Sequence, residues 1–213
     1  MENVRIAGVE VLVNDNERYL QVNDVCVLNE IFWQAIKTRY QSYEIHFCYH
    51  TTDVPIAFLK EINAKLVDDC VEMRLSIGEV VAPDVNGIQQ VTDANFNEFA
   101  CLHEKCNTNI FWTSERVKSD LSRWGLFIAK CDNLVNGYIM IALWDSALAE
   151  IFCLEASTVD QGEALISSAV NKAINAGKTE VLYMVDKDSI YKESAELAGF
   201  KETGIYQGFM AKV

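Results

Sequence analysis

Hydrophobic residues in the second half of the chain recur with two periods, and these periods predict its secondary structure. Spacings of three and four residues indicate amphipathic helices, whereas apolar runs and alternation indicate strands. After residue 86 the pattern predicts, in order, a strand at 88–91, helices at 93–105 and after Ser114, strands at 126–131, 138–144 and 150–154, a helix at 162–176, a strand at 181–185, a helix at 189–198 and a strand at 205–211. This order predicts an α/β fold, with helices on both faces of a mixed sheet.

Two local signals place turns and helix starts within this order. Ser114 is a suitable N-cap, because Glu115 follows it in the first turn. The segment 133–137 carries the Asn and Gly residues that are typical of a hairpin loop. It is therefore predicted to join the strands at 126–131 and 138–144.

The first 85 residues follow a similar but shorter pattern. A hairpin-like pair of strands (9–13 and 18–22) precedes a helix with an apolar stripe at 28–36, an alternating strand at 43–49, a helix from Pro55 to Leu66 and an alternating strand at 71–77. The order helix–strand–helix–strand repeats that of 162–211. It indicates either a truncated structural copy of the C-terminal half or a chance recurrence of a common order.

The segment 78–87, GEVVAPDVNG, combines Gly, Pro, Asp and Asn and predicts a domain boundary. We therefore expect an N-terminal α/β half-domain at 1–85 and a second domain at 86–213. We also expect the first to pack against the second through the apolar faces at 28–36 and 43–49, so that the second domain alone would be unstable.

The charge and composition exclude several classes of partner. The chain has 213 residues and a net charge of −13, which repels the phosphate backbone of nucleic acids. An acidic surface either attracts cationic amines or serves solubility alone. No apolar run is long enough to span a membrane, and the N-terminus lacks a secretory pattern. The seven cysteines are scattered and odd in number, which favours reduced thiols and a cytoplasmic protein.

Two groups of potential metal ligands do not predict a metal site. The spacing of Cys101, His103 and Cys106 on a helix does not bring three ligands to one face. His46 and His50 lie about 13 Å apart on a strand, which is too far for one ion. We therefore predict no metal.

The segment from 150 to 200 carries a family resemblance. It reads EIFCLEASTVDQGEALISSAVNKAINAGKTEVLYMVDKDSIYKESAELAGF. The pairs Ala176-Gly177 and Gly199-Phe200 and the apolar strand between them are similar in spacing to the GNAT superfamily of N-acetyltransferases, and the elements from Ile88 onward fit as well, over about 125 residues. The resemblance implies a mostly antiparallel central sheet with helices on both faces. It also implies transfer of an acetyl group from acetyl-CoA to a small amine or a protein amine.

In the family, a loop of pattern Q/R-x-x-G-x-G/A opens the long helix and binds the diphosphate of acetyl-CoA through backbone N–H groups. Spacing from Gly177 aligns that pattern with 157–162, STVDQG, in which Asp160 replaces the first glycine. Asp160 either repels the diphosphate or caps the helix. The resemblance implies the following cofactor-binding residues: Cys153, Leu154, Ser157, Thr158, Gln161, Gly162, Glu163 and Asp188.

The resemblance also implies candidate catalytic residues. Family members often place a tyrosine, which protonates the departing CoA thiolate, four residues before the Gly of the Gly-Phe pair. Here that residue is Ala195; Tyr191 lies one turn earlier and either substitutes for the tyrosine or has a packing role. Glu150 and Glu155 are the candidate general bases. Their spacing predicts opposite ends and opposite faces of one strand.

Aromatic residues are the remaining candidates. Trp112, Trp144 and Asp145 either line an acceptor pocket or, for the two tryptophans, belong to the core. Two functions stay open. The first is an acyl-CoA-dependent N-acyltransferase; the second is a catalytically degenerate module of the same fold that binds CoA weakly or serves as an interaction domain.

Overall fold

The computed structural model describes residues 2–79, 87–107, 111–132 and 134–213. The chain forms two compact units: unit 1 comprises Met1–Glu72 and Gly204–Val213, and unit 2 comprises Met73–Thr203. Strands and helices are combined in both, which confirms the predicted α/β class. Among the described residues, no helix is both long and apolar enough to cross a membrane.

Eleven strands and six α-helices account for most of the described chain. The strands are β1 (Glu2–Ile6), β2 (Val9–Asn14), β3 (Tyr19–Asn23), β4 (Glu44–Tyr49), β5 (Lys65–Ser76), β6 (Ile88–Gln90), β7 (Trp124–Cys131), β8 (Leu134–Ala142), β9 (Leu148–Glu155), β10 (Glu180–Asp186) and β11 (Lys201–Lys212). The helices are α1 (Glu30–Arg39), α2 (Ile56–Glu61), α3 (Phe96–Cys106), α4 (Ser114–Ser119), α5 (Val159–Asn175) and α6 (Ile190–Leu197).

The sheet of unit 1 has the strand order β1-β2-β3-β4-β11-β5. Antiparallel pairing joins β1, β2 and β3, whereas β3 and β4 are parallel and β11 is antiparallel to β4. Both helices of this unit contribute to one hydrophobic core with the strands, in which Phe32 and Ile36 of α1, Leu59 of α2, and Phe47 and Phe209 are buried. The side chain of Asn29 caps α1 by accepting a hydrogen bond from Phe32 N at 3.0 Å.

The sheet of unit 2 has the order β5-β10-β9-β8-β7-β6. Pairing is antiparallel from β6 to β9, and β10 is parallel to β9. Helices α3 and α4 cover one face through Phe96, Phe99 and Val117, which pack with Leu126 and Met140. We call this the α3/α4 face. Helix α5 lies on the other face.

Unit 1 includes a distant segment of the chain, whereas unit 2 is continuous in sequence. Strand β5 begins in unit 1 and ends in unit 2 at 73–76, whereas β11 begins in unit 2 at 201–203 and continues in unit 1. The order β3-α1-β4-α2-β5 recurs as β9-α5-β10-α6-β11, with the first two strands parallel in each. The compact units thus differ from the consecutive segments 1–85 and 86–213. Residues 80–86 of the predicted boundary lie outside the described residues, so that division stays a prediction.

Several element ends differ from prediction. Thr113, not Ser114, caps α4 by accepting from Arg116 N, and Ser114 is buried and hydrogen-bonded to Glu104. Helix α2 ends at Glu61, so Leu66 lies in β5 rather than in the helix. Strand β8 begins at Leu134, which places most of the predicted hairpin loop inside the strand.

Candidate functional site

Strand β9 contains a bulge that changes which residues share a face. Along the β8–β9 ladder, Ile141 pairs with Ile151 but the next residue of β8, Met140, pairs with Cys153. Phe152 is therefore the extra residue of a β-bulge. Both Phe152 and Cys153 pack on the α3/α4 face.

The prediction that Glu150 and Glu155 lie on opposite faces is wrong, and the bulge is the reason. Glu150 pairs with Ala142 and Glu155 pairs with Tyr138, and both partners belong to the core of the α3/α4 face. Directly paired residues in an antiparallel ladder point to the same face. One extra residue at Phe152 shifts the alternation, and both carboxylates therefore lie on the α3/α4 face.

Strands β9 and β10 separate partway along their length. Their parallel pairing runs from Glu180↔Leu148 to Tyr183↔Ile151, although β9 continues to Glu155 and β10 to Asp186. We call the space flanked by 152–155 and 184–186, all described residues, the β9–β10 gap. Along it, the backbone groups that β9 directs towards β10 have no ladder partner. A strand edge of this kind can hydrogen-bond an extended ligand.

Glu155 and Tyr191, two of the predicted catalytic residues, are in contact at the end of this gap. The Tyr191 hydroxyl lies close to the Glu155 carboxylate and to the Ala156 backbone N–H, and burial followed by the charge of Glu155 raises the pKa of Tyr191. The thiol of Cys106, at the end of α3, also lies close to Glu155, and burial raises the pKa of this thiol. Ala195, at the position where the family has its tyrosine, is fully buried.

The first turn of α5 is organised by two side chains. Thr158 is the N-cap: its Oγ1 accepts from Gln161 N at 3.2 Å, and its carbonyl accepts from Gly162 N at 3.0 Å. The Gln161 amide accepts from Ser157 N at 2.7 Å and donates to Asn136 Oδ1 at 2.9 Å, which links the loop before α5 to β8. Ser157, Thr158 and Gln161 therefore lie together at the predicted loop.

Asp160 lies in this first turn, but the N-cap is Thr158. The acidic residues near Asp160 in the sequence have no basic residues among them. No Lys or Arg occurs between Leu148 and Asn171, a segment that also contains Glu150, Glu155 and Glu163. Asp188, in the connection between β10 and α6, is exposed, and its side chain makes no hydrogen bond with the described residues. The electrostatic potential at this helix end is therefore less favourable for anions than the helix dipole alone would make it.

Gly162 allows close packing of two helices. A Cβ at this position would lie 2.8 Å from the Cβ of Ser194 in α6, and closer still to its hydroxyl oxygen. Ser194 is fully buried and donates to Val159 O or Ile190 O, at 3.0 and 2.7 Å. The glycine thus brings α6, and with it Tyr191, against the start of α5.

Four aromatic rings form a cluster on the α3/α4 face, around the bulge. Trp112, Trp124, Trp144 and Phe152 have centroids between 4.9 and 6.3 Å apart. The rings fill the space between them, so the two tryptophans of the sequence prediction behave as core residues rather than as the lining of a pocket. Of the four rings, only that of Trp144, at the edge of the cluster, is exposed. Asp145 accepts from Leu148 N and Ala147 N, contacts that lower its pKa and make it a turn residue.

Sequence reasoning missed a buried polar network beside the bulge. His103 Nε2 lies 2.8 Å from Trp112 O and must donate to it, so its Nδ1 accepts from the Tyr138 hydroxyl at 3.0 Å. Asn107 donates to the same hydroxyl, which also contacts the Cys153 thiol; burial raises the pKa of that thiol to about 12. His103 follows the buried Phe99 by one helical turn, and this spacing could have identified it as a core residue. Through His103 and Tyr138 the network connects the backbone of Trp112 to Cys153, the residue after Phe152.

The remaining candidates are distributed as follows. Cys153 and Leu154 form one side of the β9–β10 gap, with their side chains directed to opposite faces of the sheet. Glu163 is half-buried on α5. Within the described parts of the chain, no three His, Cys, Asp or Glu side chains come close enough together to hold a metal ion.

Comparison of the sequence finds no matching family model and no matching curated protein. Solved structures do match. A GCN5-related N-acetyltransferase from Sphaerobacter thermophilus has a TM-score of 0.67 at 15% identity, covering 95% of this chain and 75% of that one. One from Kribbella flavida has 0.65 at 13%, covering 99% and 89%. A tandem GNAT protein from the clavulanic acid biosynthesis pathway has 0.57 at 12%, covering 95% and 78%. At these identities the likeness concerns the fold.

Proposed function

We propose that this chain, whose fold is that of the GCN5-related N-acetyltransferases, transfers an acetyl group from acetyl-CoA to a small amine or a protein amine. The observation that carries the proposal is the β9–β10 gap, an unpaired strand edge that leads directly to the start of α5. The Glu155–Tyr191 pair lies at the same end of the gap. A strand edge, a helix N-terminus and a proton donor are the parts that acyl transfer from a long, amide-rich thioester needs.

The donor set at the gap fits the pantetheine arm of the donor. That arm is extended and carries two amides, and the free edge of β9 at 152–155 offers N–H and C=O groups to it. Cys153 and Leu154 would contribute these groups, and the first turn of α5, from Ser157 to Glu163, would face the diphosphate. When bound, acetyl-CoA supplies the acyl group as an activated thioester.

The residues of the chain have separate roles in this proposal. Backbone N–H groups beside the bulge at Phe152 polarise the acyl carbonyl, and because they are part of the strand they need no particular side chain. Tyr191 holds a proton at its hydroxyl for the leaving thiolate, and its raised pKa keeps that proton in place at neutral pH. Glu155 orients Tyr191, so Glu150, on the same face, is the better candidate for general base. Alignment of the reactants supplies most of the rate.

A second function is favoured by a specific observation. Asp160 lies in the first turn of α5, and the segment from Leu148 to Asn171 contains no cation. A weakly binding module of the same fold, acting through interactions with other molecules, would tolerate these residues. The seven cysteines are all free, in keeping with the cytoplasmic location that we propose for either function.

Release of free thiol from acetyl-CoA, measured across a panel of small amines and lysine peptides, tests the proposal. We expect release above background with at least one acceptor. Glu150→Gln should lower the rate with that acceptor and shift the acidic limb of its pH profile, whereas a matched change at Glu10, an exposed residue of β2, should not. Absence of turnover with every acceptor, combined with measurable binding of CoA, would favour the second function.

A further inference from the structure

We infer that the donor site recognises the pantetheine arm rather than the diphosphate, so that acyl thioesters of pantetheine and 4′-phosphopantetheine bind about as well as acyl-CoA. This inference rests on the proposed function and specifies its donor class. It follows from three observations: the state of the N–H groups before and within the first turn of α5, the charges around them, and the unpaired edge of β9.

Two of the N–H groups at this helix end, those of Ser157 and Gln161, already have side-chain acceptors inside the protein. Ser157 N donates to the Gln161 side chain, Gln161 N to the Thr158 hydroxyl and Gly162 N to the Thr158 carbonyl. An anion bound through Ser157 N or Gln161 N would have to displace the side chain of Gln161 or Thr158, which cancels much of the gain from each of these two hydrogen bonds.

The acidic residues near the start of α5 also disfavour the binding of a diphosphate. Asp160 lies in the first turn, Glu155 ends the preceding strand and Glu163 follows one turn later, whereas no Lys or Arg occurs from Leu148 to Asn171. Lys187 lies between Asp186 and Asp188 in the sequence, and Lys192 of α6 is already paired with Glu196 and Glu202. At about 6 Å, repulsion between Asp160 and one phosphate charge lowers affinity by roughly tenfold to a hundredfold, depending on salt.

The part of the site that fits the pantetheine arm is unaffected by either effect. The amides of the arm are neutral, so the acids do not repel them. The edge of β9 from 152 to 155 has no ladder partner on the side of β10, and every residue concerned is described. Binding energy in this region comes from amide hydrogen bonds and from apolar contact with Phe152 and Leu154.

Calorimetry with pantetheine, 4′-phosphopantetheine, dephospho-CoA and CoA tests the inference without requiring turnover. We expect dissociation constants within about threefold of one another at low salt. Moreover, CoA should bind more tightly as salt increases, because salt screens the repulsion. A diphosphate site with three charge-assisted hydrogen bonds would instead favour CoA by about a thousandfold or more and weaken with salt.

A pair of matched variants locates the effect. Asp160 and Glu115 are both the second helical residue after a threonine N-cap, in α5 and α4 respectively. We expect Asp160→Asn to tighten CoA about tenfold while leaving pantetheine unchanged, and Glu115→Gln to change neither. An equal change in both ligands, or none, would overturn the role of Asp160.

The outcomes separate this inference from the proposed function. If acetyl-pantetheine and acetyl-CoA both support turnover with similar kcat/KM, both proposals stand. If only CoA binds, or binds at least a hundredfold more tightly than pantetheine, the inference is overturned and the proposed function stands. If none of the four compounds binds, the proposed function itself is overturned.

Discussion

The hydroxyl of Tyr191 lies close to the carboxylate of Glu155, although α5 and β10 separate the two residues in the sequence. The contact lies where β9 ends, and the packing of Gly162 against Ser194 supports it by bringing α6 close to α5. A half-buried phenol beside a carboxylate keeps its proton and has restricted freedom to move. Both properties suit a proton donor.

Tyr191→Phe tests that role. We expect kcat to fall about tenfold to a hundredfold with little change in KM for the donor, because the ring remains and only the proton is lost. Glu155→Gln, which keeps an acceptor for the hydroxyl, should have a smaller effect. Steady-state kinetics of both variants, with thermal melts to confirm folding, provide the measurement. An unchanged kcat in Tyr191→Phe would remove Tyr191 from the mechanism.

The chain should bind one donor molecule rather than two, although its element order is repeated. In unit 1 the parallel pair β3–β4 stays in register up to Asn23↔Cys48. Beyond the strand, Asp24 N donates to Cys48 O at 2.8 Å and the Asp24 side chain accepts from His50 N at 2.6 Å. The space that corresponds to the β9–β10 gap is therefore closed. Calorimetry should give a stoichiometry of one per chain, and a value of two would contradict this reading.

Gly162→Ala should destabilise the protein despite the higher helix propensity of alanine. The new methyl group would lie 2.8 Å from the Cβ of Ser194, and Ser194 is fully buried. Overpacking of this kind costs about 1–3 kcal/mol, against a gain of up to about 1 kcal/mol from propensity. Urea denaturation measures the difference. Adding Ser194→Gly should recover part of the loss, whereas additive effects of the two changes would show that the contact is not the cause.

The succession of elements was predictable because long, periodic segments determine it. The apolar stripe of α5, for example, includes Leu165, Ile166, Ala169 and Val170, all of which are buried. The bulge at Phe152 was not predictable. It depends on the pairing of β9 with β8, whereas EIFCLE read alone is consistent with simple alternation. Because simple alternation ignores the extra residue of the bulge, it places Glu150 and Glu155 on opposite faces, which is wrong.

Long-range pairing explains the other differences. Tyr191 and Glu155 were both identified as candidates, but their contact depends on how closely α6 approaches α5 and has no local signal. The path of β5 and β11 through both units is likewise a choice of partner strand, which amphipathic patterns do not specify. His103 is the exception: its spacing from Phe99 marks it as a core residue, and the hydrogen bonds that allow its burial come from Tyr138 and Trp112.

Removal of 204–213 should unfold unit 1. These residues supply β11, which pairs with β4 from Gln207↔Tyr49 to Lys212↔Glu44, and they place Phe209 in the core. Their loss would expose a central strand edge and apolar surface. For the same reason, the fragment 86–213 would leave β11 without its partner β4. Removal of β1, an edge strand paired only with β2, is the matched control and should be much less damaging. The prediction would be refuted if the chain that lacks 204–213 were monomeric and melted cooperatively.

Stability should decrease steeply at alkaline pH, because buried tyrosines resist ionisation. Tyr49 and Tyr138 are almost fully buried, and burial is the main cause that raises the pKa of each above its ordinary value. Above about pH 10 an unfolded tyrosine loses its proton whereas the folded one keeps it, so the unfolded state binds fewer protons. The free energy of unfolding therefore falls with rising pH, by about 1.4 kcal/mol per pH unit for each such group.

The buried thiol of Cys153, with its pKa raised to about 12, adds the same effect from about pH 9. Urea denaturation between pH 7 and 11, with tyrosinate absorbance recorded in parallel, measures the slope and the ionisation together. Tyr49→Phe removes one titrating group and should reduce the slope above pH 10 by about 1.4 kcal/mol per pH unit, even though the lost hydrogen bond to Val25 O lowers stability at pH 7. An equal slope in wild type and variant would show that Tyr49 ionises as readily in the folded protein as in the unfolded chain.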